Sequence, residues 1–222
     1  MTRIVNNCVA LVCLCLFWGQ SLRAADASHS EQIKWGNESV FNEEHNTLGL
    51  FSGVLGGQIV LAGGTSDDYS RWGRNAVCLS ENAGFALYED VLSKPLAYGA
   101  SITLSDGILC IGGRDSSQCY EDVFFVTMQQ GKLNVSEDWP PLPFPLSNAA
   151  GALLDNKVYL FGGRKSVSPS RLSDSFFVLD LSNKSRGWKE LPGYPGCVRE
   201  DAILVVQNNG VSPCLYLLGG QT

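Results

Sequence analysis

Ile59-Val60-Leu61-Ala62-Gly63-Gly64 returns as Ile108-Leu109-Cys110-Ile111-Gly112-Gly113, as Val158-Tyr159-Leu160-Phe161-Gly162-Gly163 and as Leu215-Tyr216-Leu217-Leu218-Gly219-Gly220. The glycine pairs stand 49, 50 and 57 residues apart. Before each copy lies a second small-residue stretch (50–54, 98–103, 148–153 and 201–206), reached through a short polar turn such as Ser105-Asp106-Gly107, which is a hairpin signal. After the first three copies come a third stretch (75–79, 123–128, 176–181) and a fourth that approaches Phe85, Trp139 or Trp188. Four short strands in a period of about 50 residues are the content of one propeller blade. The sequence therefore predicts an all-β propeller with about three and a half four-stranded blades over residues 46–222. A glycine pair suits a strand that must turn sharply and approach its neighbour closely, and the tryptophan or phenylalanine supplies an apolar wedge between sheets.

Composition narrows the function classes. The chain has 222 residues, a formal net charge of -6 and a pI near 4.9. Without a positive field the counterion-release drive toward nucleic acid is missing, so no nucleic-acid partner is expected. Residues 1–27 read as an export signal: Arg3, an apolar run from Cys8 to Trp18, and a small-residue exit at Ala24-Ala25-Asp26-Ala27. That run is shorter than the ~20 residues of a spanning helix, so an exported protein without a membrane anchor after signal removal is expected, periplasmic or secreted. Residues 28–45 form a lead-in. Loss of the signal would remove Cys8, Cys13 and Cys15 and leave Cys78, Cys110, Cys119, Cys197 and Cys214. Cys110 and Cys119 flank a tight turn and are either bridged or buried free thiols. Cysteine and histidine spacing gives no metal site, and no cofactor is expected.

The repeat resembles the kelch motif, and finer segments resemble one kelch family. Residues 48–64, Lys94-Pro95-Leu96-Ala97-Tyr98-Gly99-Ala100-Ser101 and Ile111-Gly112-Gly113 are similar to the closing blades of the N-acetylneuraminate epimerases, the sialic acid mutarotases. Trp188-Lys189-Glu190-Leu191-Pro192, Arg199-Glu200-Asp201-Ala202 and residues 215–220 resemble that family's opening blade. The reversed order matches its cyclically permuted branch. The resemblance implies a six-bladed parent and anomer exchange on N-acetylneuraminate, a sugar acid, without a cofactor. The glutamate and arginine that the family carries in mid-chain have no match here and would lie beyond Thr222. On that count the chain is expected to be cut within a blade and to have little activity by itself, with uncovered sheet edges that invite self-pairing.

Mutarotation needs a base for the anomeric hydroxyl, an acid for the ring oxygen and a cation for the carboxylate. An arginine at the start of an inner strand is the natural clamp, because its planar fork matches a carboxylate. Arg199 holds that place before the fourth inner strand, and alternation aims Glu200 or Asp201 at the centre. The catalytic candidates are Arg199, Glu200 and Asp201, with a plain ion pair at a blade junction as the alternative. By the same strand-start logic Tyr98, Asn148 and, approximately, Asn46 are candidate binders of sugar hydroxyls, or polar residues at strand ends. Arg114 and Asp115, and likewise Arg164, follow glycine pairs and are candidate binding groups or solvated turns. A copper oxidase on the same fold would need two histidines, yet His29 and His45 both lie outside the blades. The second functional class is a non-catalytic kelch module that binds glycans or a protein. Sequons at Asn37, Asn134 and Asn183 carry glycans only in a eukaryotic source. Oligomeric state is not legible.

Overall fold

The computed structural model describes residues 48–80 and 84–222. The export segment, the lead-in, Asn46, both histidines, the Asn37 sequon and Cys8, Cys13 and Cys15 lie outside the described residues. The first sheet consists of β1 (Phe51–Leu55), β2 (Gln58–Ala62), β3 (Ala76–Ser80) and β4 (Gly84–Tyr88), hydrogen-bonded in that order. The second has β5 (Ala100–Thr103), β6 (Ile108–Ile111), β7 (Val123–Gln129) and β8 (Lys132–Ser136) in the same order. In the third, β9 (Ala150–Leu154) and β10 (Lys157–Phe161) are followed by a small hairpin of β11 (Arg164–Ser166) and β12 (Arg171–Leu172), then β13 (Phe176–Asp180) and β14 (Lys189–Leu191). β15 (Glu200–Asn208) and β16 (Pro213–Gln221) make a two-stranded sheet. Every pairing between neighbouring strands is antiparallel. β1 touches β5, β5 touches β9, and β9 touches β15, so the first strands of successive sheets stand side by side. These are propeller blades, three complete and one of two strands, as the repeat predicts.

Alternation along each strand explains why the sheets stack. In β6, Ile108 and Cys110 join the cluster formed with Phe51, Val60 and Cys78 of the first sheet. Leu109 and Ile111 point the other way, into the cluster with Leu146, Val158, Leu160, Phe177 and Leu179. All four residues of β6 are buried because the second sheet has a neighbour on each face. A smaller cluster of Ala150, Ala152, Phe161 and Leu204 joins the third sheet to β15. Burying each large side chain contributes about 1.5–3 kcal/mol. Trp139 and Trp188 pack as the predicted wedges against the middle cluster. Phe85, on β4, is 39% exposed.

The glycine pairs have a specific task. A Cβ on Gly63 would stand 2.2 Å from the Leu96 carbonyl oxygen, on Gly112 2.1 Å from that of Leu146, and on Gly162 2.4 Å from that of Arg199. The next glycine donates its amide to the same oxygen: Gly64 to Leu96 at 2.9 Å, Gly113 to Leu146 at 2.8 Å and Gly163 to Arg199 at 2.9 Å. The first glycine makes room for the carbonyl that the second one holds, and each carbonyl belongs to the chain entering the next sheet.

The loop after the second glycine pair is fixed by an aspartate. Asp115 Oδ1 accepts from the Ser117 amide at 2.7 Å, the Ser117 hydroxyl at 2.8 Å and the Gln118 amide at 2.9 Å, while Tyr120 donates to Oδ2 at 2.5 Å. Burial raises the Asp115 pKa, but the bonds from Tyr120, Ser117 and Gln118 outweigh it and hold the carboxyl at about 2. Cys110 and Cys119 are unbridged buried thiols, and burial pushes both above their ordinary range.

Two outcomes test this account. Gly112→Ala, with a φ of +62° and a carbonyl in the way, should lower the unfolding free energy by about 2–4 kcal/mol in urea titrations, through combined left-handed strain and clash. Gly131→Ala, with a φ of +73° but open space, should cost about 1 kcal/mol. Because the folded-state pKa of Asp115 is depressed, its contribution is complete above about pH 4 and lost as pH falls toward about 2. Melting temperatures measured from pH 5 to pH 2 should therefore drop less steeply in Asp115→Asn than in the parent.

Candidate functional site at the strand starts

Four equivalent residues open the inner strands, and all have left-handed backbones: Gly49 at φ 64°, Tyr98 at 60°, Asn148 at 56° and Asp201 at 54°. Asparagine and aspartate tolerate this region, whereas tyrosine adopts it at a cost. A ladder of amides compensates. Asp201 donates to the Asn148 carbonyl at 3.0 Å, Asn148 to that of Tyr98 at 2.7 Å, and Tyr98 to that of Gly49 at 2.7 Å. The first repeat's member of this set is Gly49, and Asn46 lies outside the described residues.

This ladder gathers polar side chains. Asn148 donates through Nδ2 to Asp201 Oδ1 at 2.8 Å and accepts from the Ser147 hydroxyl at 2.9 Å. The Cys119 sulfur lies 3.4 Å from the same Ser147 oxygen. Asp201 is exposed; Asn148 and Tyr98 are half-buried. Burial, together with the neighbouring Tyr69 hydroxyl, pushes the Tyr98 phenol well above its ordinary pKa, so it stays protonated and can donate.

Arg114 is the cation beside them. Its guanidinium carbon lies 4.5 Å from the Tyr98 ring centre, 5.1 Å from Trp72 and 6.0 Å from Tyr69. Tyr69 stacks on Tyr98 with centroids 6.5 Å apart, and the Trp72 indole donates to the Tyr69 carbonyl at 3.1 Å. Arg114 Nη1 reaches the Asp115 carbonyl oxygen at 3.3 Å, but its buried Nε has no partner among the described residues. Arg164, the same position one repeat on, is engaged differently. It grips Glu200 with a fork, Nε to Oε2 at 2.8 Å and Nη2 to Oε1, and that bond raises its pKa. Glu200 is 7% exposed. The blade-junction ion pair foreseen as an alternative thus exists, with Arg164 in place of Arg199.

The expected grouping is redistributed. Asp201 joins Tyr98, Asn148 and Arg114, while Glu200 is spent on Arg164. Arg199 stands two residues ahead of the left-handed position. It occupies the place of Leu96 and Leu146, whose carbonyls the glycine pairs hold, and its side chain donates to the Gly219 carbonyl at 2.9 Å and stacks 5.5 Å from Tyr194. The Asp115 carboxylate is consumed by its own turn. Tyr69 and Trp72 were missed. The available signal was that the loop after the first glycine pair carries two aromatics where the second has Ser116, Ser117 and Gln118. Among the described residues no group of three or more His, Cys, Asp or Glu could hold a metal ion. Chemically, the end of the sheets offers one carboxylate, one amide, one protonated phenol and one guanidinium, a set suited to hydroxyls and an anionic group.

Comparison with known proteins agrees with the fold. Residues 145–192 match the model of the kelch motif. An N-acetylneuraminate epimerase of Vibrio cholerae is 32% identical over 101 residues, 46% of this chain and 23% of that protein. One from Yersinia pestis is 32% identical over 85 residues, 38% of this chain and 19% of its own length. A kelch domain-containing protein of Vibrio cholerae is 32% identical over 81 residues, 36% of this chain and 20% of that protein. The matched stretches span about a fifth of these relatives. The motif match falls on the third blade, and the same four-stranded unit is built three times over, so the chain is made of kelch-type propeller blades.

Proposed function

We propose that this kelch protein acts on a sugar acid at the strand-start end of its blades, as an exported N-acetylneuraminate mutarotase-like protein. The observation that supports the reading is the convergence of Asp201, Asn148 and Tyr98, from three successive repeats, along one backbone ladder, with Arg114 against the Tyr98 ring. The names of two of the relatives point to the same substrate. Asp201 takes the proton of the anomeric hydroxyl as the bond from the anomeric carbon to the ring oxygen breaks, and the ring oxygen is protonated by the Tyr98 hydroxyl. The open keto form recloses on either face, and both protons return. Asn148 holds Asp201 in place and leaves its second oxygen free for substrate.

A non-catalytic sugar-binding module is the second reading. One relative's name carries no activity, and Arg164 withdraws Glu200 from the chemistry. Both readings are tested on one sample, with freshly dissolved N-acetylneuraminate followed by proton NMR. Binding is expected, seen as broadening of the sugar resonances by the 222-residue chain and weakened about tenfold in Asp201→Ala. Interconversion faster than the spontaneous rate assigns the mutarotase. Binding without acceleration assigns the module, and absence of binding overturns both.

A further inference from the structure

We infer that Arg114 is the carboxylate anchor of this site, and that the chain displays the intended arrangement one repeat later, in its own Arg164 and Glu200. This deepens the sugar-acid reading and rests on it for the identity of the ligand.

Arg114 and Arg164 are equivalent residues of successive repeats. Arg114 and Arg164 both follow a glycine pair, and both bridge in antiparallel fashion to the residue just before the left-handed position of their own repeat, Ala97 and Ser147. For each arginine, the residue before the left-handed position of the next repeat is its potential partner. For Arg164 that residue is Glu200. For Arg114 it is Ser147, which is neutral and whose hydroxyl is given to Asn148.

The consequence is electrostatic. Arg164 donates Nε and Nη2 to the two oxygens of one carboxylate. On Arg114 the Nε has no partner, and no ion pair joins the residue to any acid among the described residues. A buried donor without an acceptor is costly, and a guanidinium whose fork is unfilled is complementary to a ligand carboxylate. The Tyr98, Trp72 and Tyr69 rings lie against the cation but cannot accept the paired hydrogen bonds of its fork as a carboxylate can. Tyr69, 50% exposed and farthest of the three rings from the guanidinium, is the side chain that can yield to an entering ligand. Asp201 sits near enough to Tyr98 to influence its ionisation, so an anion on Arg114 would present the rest of a sugar acid to the ladder residues.

The test follows the Nε–H resonance of Arg114, identified by its disappearance in Arg114→Gln, during titrations with acetate, N-acetylneuraminate and the methyl ester of that sugar. The expected result is that both acids move the resonance, that the ester binds about tenfold or more weakly than the free acid, and that Arg114→Gln removes this preference while keeping the parent's melting transition. Ser147→Glu, which supplies the missing internal partner, should abolish the response to acetate with Arg114 still present. If acetate moves the resonance and the sugar does not, the anchor stands and the sugar reading falls. If the sugar binds but ester and acid bind equally, or Arg114→Gln leaves the preference intact, the anchor is overturned and the sugar reading stands. If no ligand binds, both are overturned.

Discussion

Each of the first three sheets is tied to the chain entering its successor through one carbonyl oxygen, that of Leu96, Leu146 or Arg199, held by a glycine amide across a gap that only the preceding glycine leaves open. That contact fixes where the next inner strand begins. It also imposes the left-handed turn two residues later, at Tyr98, Asn148 and Asp201, and so determines which side chains meet at the end of the blades. The apolar clusters stabilise the stack, but they are tolerant of detail; the carbonyl grip is not. A side chain on the first glycine would push back the whole entering segment.

The same constraint separates residues that look alike in sequence. Arg199, Glu200 and Asp201 are consecutive and charged, yet they have three different fates. The first surrenders its carbonyl to the grip, and its side chain goes to Gly219. The second is buried against Arg164. The third turns to Asn148 and remains exposed. Function at such a site depends on one-residue register, in the way that shifting a strand by one residue exchanges its faces.

Fold and site were not equally legible. A glycine pair at a 50-residue period, with flanking hairpins, has few physical solutions, so the blades and their strand order followed from the repeat. Tyr98, Asn148 and Asp201 were reachable by position in the repeat. Arg199 was picked by counting from an approximate strand start, which falls two residues short of Asp201, the left-handed residue that sets the true phase. Tyr69 and Trp72 reach the site from a loop of the first repeat, and the Arg164 to Glu200 pair spans 36 residues. Such contacts appear only once the sheets are stacked. Asp115 looked available because a carboxylate in a loop resembles a binding group until its hydrogen bonds are seen.

The most direct measurement of the account is amide hydrogen exchange at the strand starts. If the ladder organises the site, the amides of Tyr98, Asn148 and Asp201 exchange as slowly as those within the inner strands, because each is bonded to the preceding repeat. Exchange of these three amides at the rate of open loops would contradict it, since the side chains proposed to meet there would then have no common support.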